Sequence, residues 1–411
     1  MDYWETIRIY EMKGKFLFIV PPLTGHVNPT LGLGAELLKN KHEVAWISID
    51  PQLEERIPNG GTFLLLDADI SEADKEQIKN EILKLGKKAV YGLDSLKFLY
   101  DEVLIPMNAG MLDGIKKLID AYKPDIIIND HQIFAAAVAA IQKNIPYVTS
   151  VTAPAAIKVN ESLPTIHAWE GDQIIKFQKS VGLNSDKRLD CSKLLTIVYT
   201  SKKLFGESNL DNYYQFVGPV INRGDLTDDF DWHKLQSMND RPTILVTIGT
   251  TFDHNLKRQF LRKVTEAFEN EMIGIVIVSD PELFDYIPQN FIVCRRIPQL
   301  KLIPLMDALV CHGGHNTVCE ALSYAKPLVV LPIAYDQSYV ASTVVDSGSG
   351  IRLNFNRFKA QQLKDAVNEI LHDKKYSENA QAIQKSFEEA GGVAKAVKLL
   401  ENILSITLKQ N

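Results

Sequence analysis

Cysteine is scarce in this chain: four residues (Cys191, Cys294, Cys311, Cys319) are spread over 411 positions. That number and spacing cannot staple a small secreted scaffold, and they fit a reducing, cytoplasmic setting. Long apolar runs are also missing. The opening segment "MDYWETIRIYEMKGK" carries acidic residues, and the run from Phe16 to Leu23 is short and holds Pro21 and Pro22. A spanning helix needs roughly 20 apolar residues, so no stable membrane insertion is expected. An excess of positive charge is absent too. The net charge of −6 argues against a nucleic-acid partner, while leaving room for a local basic pocket.

What the chain has in quantity is short, continuous apolar runs. "KFLFIVPP", "HEVAWIS", "DIIIND", "PYVTSV", "TILVTIG", "GIVIVS", "ALVCHG" and "PLVVLP" each end in Gly, Pro, Asp, Asn or Ser. Unbroken apolar character fits strands buried on both faces of a parallel sheet. Between them lie amphipathic stretches such as "NPTLGLGAELLKN", "QIFAAAVAAIQKN", "FLRKVTEAFEN" and "NTVCEALSYA". Strand and helix in alternation predict a doubly wound α/β fold. The pattern starts twice, at "KFLFIVPPLTGH" and at "TILVTIGTTFDH", and the length exceeds what one core usually fills. We therefore expect Rossmann-like domains over 1–217 and 241–411, joined by a Gly-, Pro- and Asp-rich linker over 218–240. Two such sheets facing each other would present their carboxyl ends to one cleft, where ligands bind in these folds. The stretch 70–115 reads as a helical insertion beside the first sheet. The amphipathic end, "GGVAKAVKLLENILSITLKQ", either packs back on the first domain or caps the second. Gly32 and Gly34 fall inside the first helix, which makes "LGLGAEL" a poor dinucleotide loop.

Residues 311–320, "CHGGHNTVCE", crowd two cysteines and two histidines together. Cys311 and His312 end a strand and point to opposite faces, and no C-x-x-C or H-x₃₋₅-H partner exists elsewhere, so a metal site is not expected. A strand, a Gly313-Gly314 turn and a helix explain the stretch better. The glycines let backbone approach a ligand, and free amides at the helix start suit an anion. Asn316 and Glu320, one turn apart, could serve a phosphate and a diol, or be a plain cap and a solvated acid. Downstream, Asp336 and Gln337 set an acid beside an amide at a strand end; upstream stand Pro298 and Gln299.

Residues 293–340 thereby resemble the nucleotide-diphosphosugar signature of the UDP-glycosyltransferase superfamily, family 1, with the GT-B fold. They are most similar to its bacterial macrolide, flavonoid and carotenoid branch. The plant form of the signature runs Trp-x-Pro-Gln, His-Cys-Gly-Trp-Asn-Ser, Glu, then Asp/Glu-Gln. Matching residues here are Pro298, Gln299, His312, Gly314, Asn316, Thr317, Glu320, Asp336 and Gln337. The resemblance implies that His312, Gly314, Asn316 and Thr317 meet the diphosphate, Glu320 the ribose, and Asp336 and Gln337 the hexose. Thr250, after Gly249, is implied as a second phosphate contact. Arg296 stands where the family places a base-stacking Trp; a guanidinium plane can also stack. His315 takes the plant Trp position and is given at most a lining role. No Asp-x-Asp occurs at a matching place, and the family's chemistry normally needs no bound metal or cofactor.

"PPLTGHVNP" resembles the family's catalytic loop at Gly25, His26 and Pro29. His26, in the loop before a helix starting near Asn28-Pro29, is the expected general base, with a helix-cap contact as the plainer reading. Asp130, ending "DIIIND", matches the aspartate that orients it; Asp125 is expected to be structural and His131 to face elsewhere. The resemblance implies inverting transfer of a hexose, from UDP-glucose as co-substrate, to a hydroxyl of a small lipophilic acceptor. That acceptor would meet the segments 60–110 and 150–185, which carry Tyr91, Phe98, Trp169 and Phe177. A glycolipid-forming transferase, a nucleotide-sugar epimerase and a non-catalytic auxiliary partner are the alternatives.

Overall fold

A computed structural model describes residues 13–67, 93–221, 230–249, 254–333 and 336–410. The first part runs β1 (Lys15–Ile19), α1 (Thr24–Lys39), β2 (Glu43–Ser48) and β3 (Thr62–Leu65). A helix then passes from Leu93–Phe98 through a π-helical stretch, Leu99–Leu104, into α2 (Ile105–Tyr122). Next come β4 (Ile126–Asp130), α3 (Phe134–Gln142), β5 (Tyr147–Val151), α4 (Ala155–Ser162), α5 (Pro164–Ser180), β6 (Thr196–Val198), α6 (Lys202–Phe205) and β7 (Tyr214–Phe216). These seven strands form one sheet in the order β3-β2-β1-β4-β5-β6-β7, every pairing parallel.

After α7 (Trp232–Gln236) the second part runs β8 (Thr243–Thr247), α8 (His254–Phe268), β9 (Gly274–Val278), β10 (Phe291–Cys294), α9 (Gln299–Leu302) and β11 (Ala308–Cys311). It continues through α10 (His315–Ser323), β12 (Leu328–Val330), α11 (Gln337–Asp346), β13 (Gly350–Arg352), α12 (Ala360–His372), α13 (Lys374–Glu389) and α14 (Gly392–Gln410). Its parallel sheet is ordered β10-β9-β8-β11-β12-β13. In both sheets the order reverses beside the first strand, which opens a crevice at the carboxyl edge.

Side chains show why the strands read as unbroken apolar runs. In β1, Phe16 and Phe18 enter one core, and Leu17 and Ile19 enter the core on the opposite face. β8 divides likewise, Ile244 and Val246 to one side and Leu245 to the other. With both faces covered, apolar residues dominate the strand interiors, and the polar ones in β5, Thr149 and Ser150, are hydrogen-bonded to Asn129 and Tyr199.

Several expectations need correction. Of the stretch 70–115, residues 70–92 lie outside the described residues; the rest belongs to the helical segment ending in α2, which lies between β3 and β4 and packs on the sheet. Met111, Ile115 and Ile119 share a core with Leu17 and Ile127. The loss of periodicity at "YYQFVGPV" hides a strand, β7, paired with β6. Of the expected linker 218–240, residues 222–229 lie outside the described residues; at its ends Val220 is buried in the first half's core, and Phe230, Leu235 and Met238 in the second's. α14 buries Ala396, Val397, Leu400 and Leu404 with Phe16 and Leu37 of the first half. Its Glu401 accepts from Asn40 Nδ2 at 2.8 Å.

Gly34 has a packing reason. A Cβ there would fall 2.1 Å from Trp46 Cζ2, so α1 lies on the indole only without a side chain. Among the described residues, no helix is long and apolar enough to cross a membrane.

Candidate active site

β1 and β4 are neighbours, so the chain leaving Ile19 and the strand ending at Asp130 meet at the carboxyl edge of the sheet. α1 begins at Thr24, which puts His26 in its first turn rather than in the preceding loop. His26 Nδ1 lies 2.8 Å from Asp130 Oδ2 and 2.9 Å from Thr152 Oγ1. With Nδ1–H donating to the carboxylate, Nε2 is left with a free lone pair, as a proton acceptor requires. Asp130 is fixed in turn: Oδ1 accepts the Gln132 amide at 2.9 Å, and Thr152 Oγ1 donates to Oδ2 at 3.3 Å. The loop behind is held by buried Asn108, whose Nδ2 donates to Gln132 O and whose Oδ1 accepts Ala135 N.

Burial alone would lower the His26 pKa, but Asp130, with help from Asp336, outweighs it and raises the value. Burial pushes the Asp130 carboxyl up, and His26 and His131 reverse that, leaving it below the ordinary range. The pair is thus built to share a proton on the imidazole. His131 does not face elsewhere. Its ring lies near-parallel to that of His26, with centroids 5.5 Å apart and an interplanar angle of 13°. Alternation along the strand misleads here because the chain leaves β4 at Asp130 and turns. Donor atoms of His26, Asp130 and His131 all lie within 4.8 Å of one another. Because the carboxylate and Thr152 already take His26 Nδ1, we read the group as a hydrogen-bonded network. Asp125 accepts Lys15 N at 2.7 Å, at the other end of the strands.

In the second half the chain leaves β11 at Cys311 and turns into α10. Gly313 has φ +87°, and a Cβ there would fall 2.9 Å from Val330 Cγ1, so only glycine makes this turn without strain. Gly314 is the N-cap of α10 and supplies no side-chain cap. The first-turn amides, beside Asn316 and Thr317, therefore keep anion-binding capacity. Burial holds the His312 pKa down at about 4, against a hydrogen bond that the ring donates to the Thr247 backbone carbonyl. Glu320 Oε2 accepts from Gln299 Nε2 at 2.5 Å, which brings two sequence-identified residues together beside buried Pro298. Arg296 is exposed; its neighbour Arg295 is occupied by Asp280 and Glu282. Asp336 precedes α11, and its carboxyl is pushed up by burial while His26 opposes the shift. Thr250 lies outside the described residues.

Three residues differ from expectation. Gln337 is buried and its Oε1 accepts Ile333 N at 2.9 Å, so its carbonyl closes the turn before α11 instead of standing open to a sugar. His315 does more than line a pocket: Nε2 is 3.2 Å from Tyr199 O, joining the two halves, and Cys319 Sγ is 3.4 Å away. Asn316 Nδ2 donates across the cleft to Gly25 O at 3.0 Å. The reason sits in α1. Pro29 has no N–H for the carbonyl four residues back, so Gly25 O is left for another donor.

The facing sites can be compared with known proteins. Residues 259–400 match the family described as Erythromycin biosynthesis protein CIII-like, C-terminal domain. The chain is 27% identical over 394 residues to the NDP-glycosyltransferase YjiC of Bacillus subtilis (strain 168), covering 92% of this chain and 95% of that one. It is 28% identical over 433 residues to the uncharacterized UDP-glucosyltransferase YojK of the same organism, covering 96% and 99%. Among solved structures, the glycotransferase of kitacinnamycin superposes with a TM-score of 0.74 at 20% identity, covering 95% and 99%. Over nearly its whole length the chain is similar to nucleotide-diphosphosugar glycosyltransferases of the family 1 type. Its two parallel sheets are the GT-B fold of that family. A family 1 glycosyltransferase takes a nucleotide-diphosphate sugar as co-substrate, and the helix start at His315 is the feature here suited to its diphosphate. Sequence reasoning missed His131, Thr152 and Asn108. Adjacency to Asp130 was the available signal for His131; nothing in the sequence singles out the other two.

Proposed function

We propose that this glycosyltransferase moves glucose from UDP-glucose, with inversion, to a hydroxyl of a small lipophilic natural product or xenobiotic. In this reading His26 Nε2 takes the acceptor proton while Asp130 steadies the imidazolium. The acceptor oxygen attacks the anomeric carbon from the face opposite the diphosphate, that C–O bond breaks, and UDP leaves with the electron pair. His312, Gly314, Asn316, Thr317 and Thr250 receive the diphosphate charge. Glu320 with Gln299 holds the ribose, Arg296 and Pro298 border the base, and Asp336 faces the hexose. The first domain binds acceptor and the second binds donor. No step requires a metal.

The observation that carries this reading is the His26–Asp130 pair at 2.8 Å, standing within electrostatic reach of Asp336 from the other half. Glucose and UDP are supported by the acid at Asp336, suited to a fully hydroxylated hexose, and by the name of the YojK relative. The test offers UDP-glucose and dTDP-glucose with phenolic, macrolide and carotenoid-like acceptors, following nucleotide release and product anomeric configuration by NMR. Acceptor-dependent UDP release with a β-glucoside product is expected. Release from dTDP-glucose alone would reassign the donor, and tight UDP binding without transfer to any acceptor would favour the auxiliary reading.

A further inference from the structure

The Asp130 carboxylate has two sides, and His26 uses one. Oδ2 takes His26 Nδ1 and the Thr152 hydroxyl. Oδ1 takes the Gln132 amide and faces His131 Nδ1 at 3.5 Å. The His131 side chain is 7% exposed, and among the described residues neither ring nitrogen has a hydrogen-bond partner. A buried polar group without a partner is unfavourable, so its place needs a cause. The backbone supplies it: His131 N donates to Ser150 O at 3.1 Å, and the Asn108 bonds to Gln132 and Ala135 hold the next residues. The ring is thereby set between Asp130 and the face of His26.

We propose that His131 is a positioning residue for the His26–Asp130 pair, a neutral imidazole that stacks on the His26 ring and shares the Asp130 carboxylate. The proposal rests on the reading of His26 as the base. The charged and titratable groups facing His26 are Asp130, Asp336 and His131, and those facing His131 are Asp130, His26 and Asp190. Burial keeps His131 neutral against the pull of Asp130, and the His26 charge adds to that effect, so the proton goes to His26. A carboxylate shared between two rings holds the His26 proton less tightly than one devoted to it. His131 thus leaves His26 freer to accept a proton near neutral pH and to release it after transfer.

Histidine-labelled protein followed by NMR reads the His26 titration directly, with no substrate. His131→Phe keeps an aromatic face and removes the nitrogens, while His131→Asn sets its Nδ2 where the imidazole Nδ1 stands and restores a donor toward Oδ1. In the Phe variant the His26 midpoint should rise by about half a unit or more, and in the Asn variant it should return most of the way. In turnover, the acid limb of the kcat/KM profile should move up with it while KM for the sugar nucleotide stays constant. An unmoved midpoint in His131→Phe, or an equal shift in both variants, overturns the proposal. If the Phe variant does not fold, His131→Leu, which carries no polar atom, takes its place with the same expected shift. Absence of transfer in the unmodified enzyme would count against the proposed function, and the NMR titration would still decide the role of His131.

Discussion

His26 and His312 both come just after a central strand of their sheet, yet their surroundings treat a proton in opposite ways. Burial is the largest single influence on both: at His26 the Asp130 carboxylate and its hydrogen bond outweigh it and raise the pKa, while at His312 burial prevails and holds the value down at about 4. Around neutral pH the first is poised to gain charge and the second stays uncharged. The first half has a built proton site, and the second meets negative charge with backbone amides and a neutral ring. Such a division keeps the base from being neutralised by its own donor site.

Breaking the first side should have the largest effect. His26→Ala is expected to lower turnover by roughly 10²–10⁴-fold, while calorimetry shows UDP affinity unchanged. Loss of UDP binding alongside turnover would mean that the two sites are not separate. The next effect separates the histidines by stability. His312 and His315 both have folded values of about 4, below their ordinary 6.5. Above 6.5 neither state of the protein binds these protons and nothing changes. As pH falls from 6.5 toward 4, the unfolded chain takes protons that the fold refuses, and stability drops by on the order of 2–3 kcal/mol per histidine. His26 has the opposite sign: its contribution is full below 6.5 and fades as pH rises through its raised folded value. Melting curves across this range should show a shallower acid slope in His315→Gln, and an unchanged slope would refute the buried neutral assignment.

Legibility divides centre from edge in both halves alike. All eight apolar runs quoted from the sequence contain strands, because burial on both faces leaves an unbroken hydrophobic signal. The strands without that signal include β3, β7, β10 and β13, the four sheet edges, three or four residues each. A strand that short carries too few side chains to show a period. Within the site, residues identified by chemistry in a short motif, such as Gln299 and Glu320, do meet. Two residues have partners that come from distant chain segments, which spacing does not encode: His131 against His26 and Asn316 against Gly25; Gln337 is set by a local turn with Ile333 four residues back.

Glu320→Gln sharpens the donor side. It exchanges the charge-assisted bond from Gln299 for a neutral one and should weaken UDP binding about tenfold, with turnover at saturating donor preserved. An unaffected Kd would remove Glu320 from the ribose.

The smallest effect tests the bond that joins the two sides. Pro29 keeps the Gly25 carbonyl out of the α1 ladder, and Asn316 fills it from the donor helix. Pro29→Ala supplies an N–H four residues on from Gly25, so α1 can satisfy its own carbonyl and Asn316 loses its acceptor. Helix stability should rise, since a proline inside a helix costs about 3 kcal/mol relative to alanine before tertiary contacts offset it. Turnover should nonetheless fall by a factor of about 3–5, as the loss of one net hydrogen bond of roughly 1 kcal/mol predicts. A more stable and slower enzyme is the signature of a bond that serves alignment rather than folding. If Pro29→Ala is stabilised with turnover unchanged, the Asn316–Gly25 contact is packing alone, and the base and donor sites are aligned through His315 and Tyr199 instead.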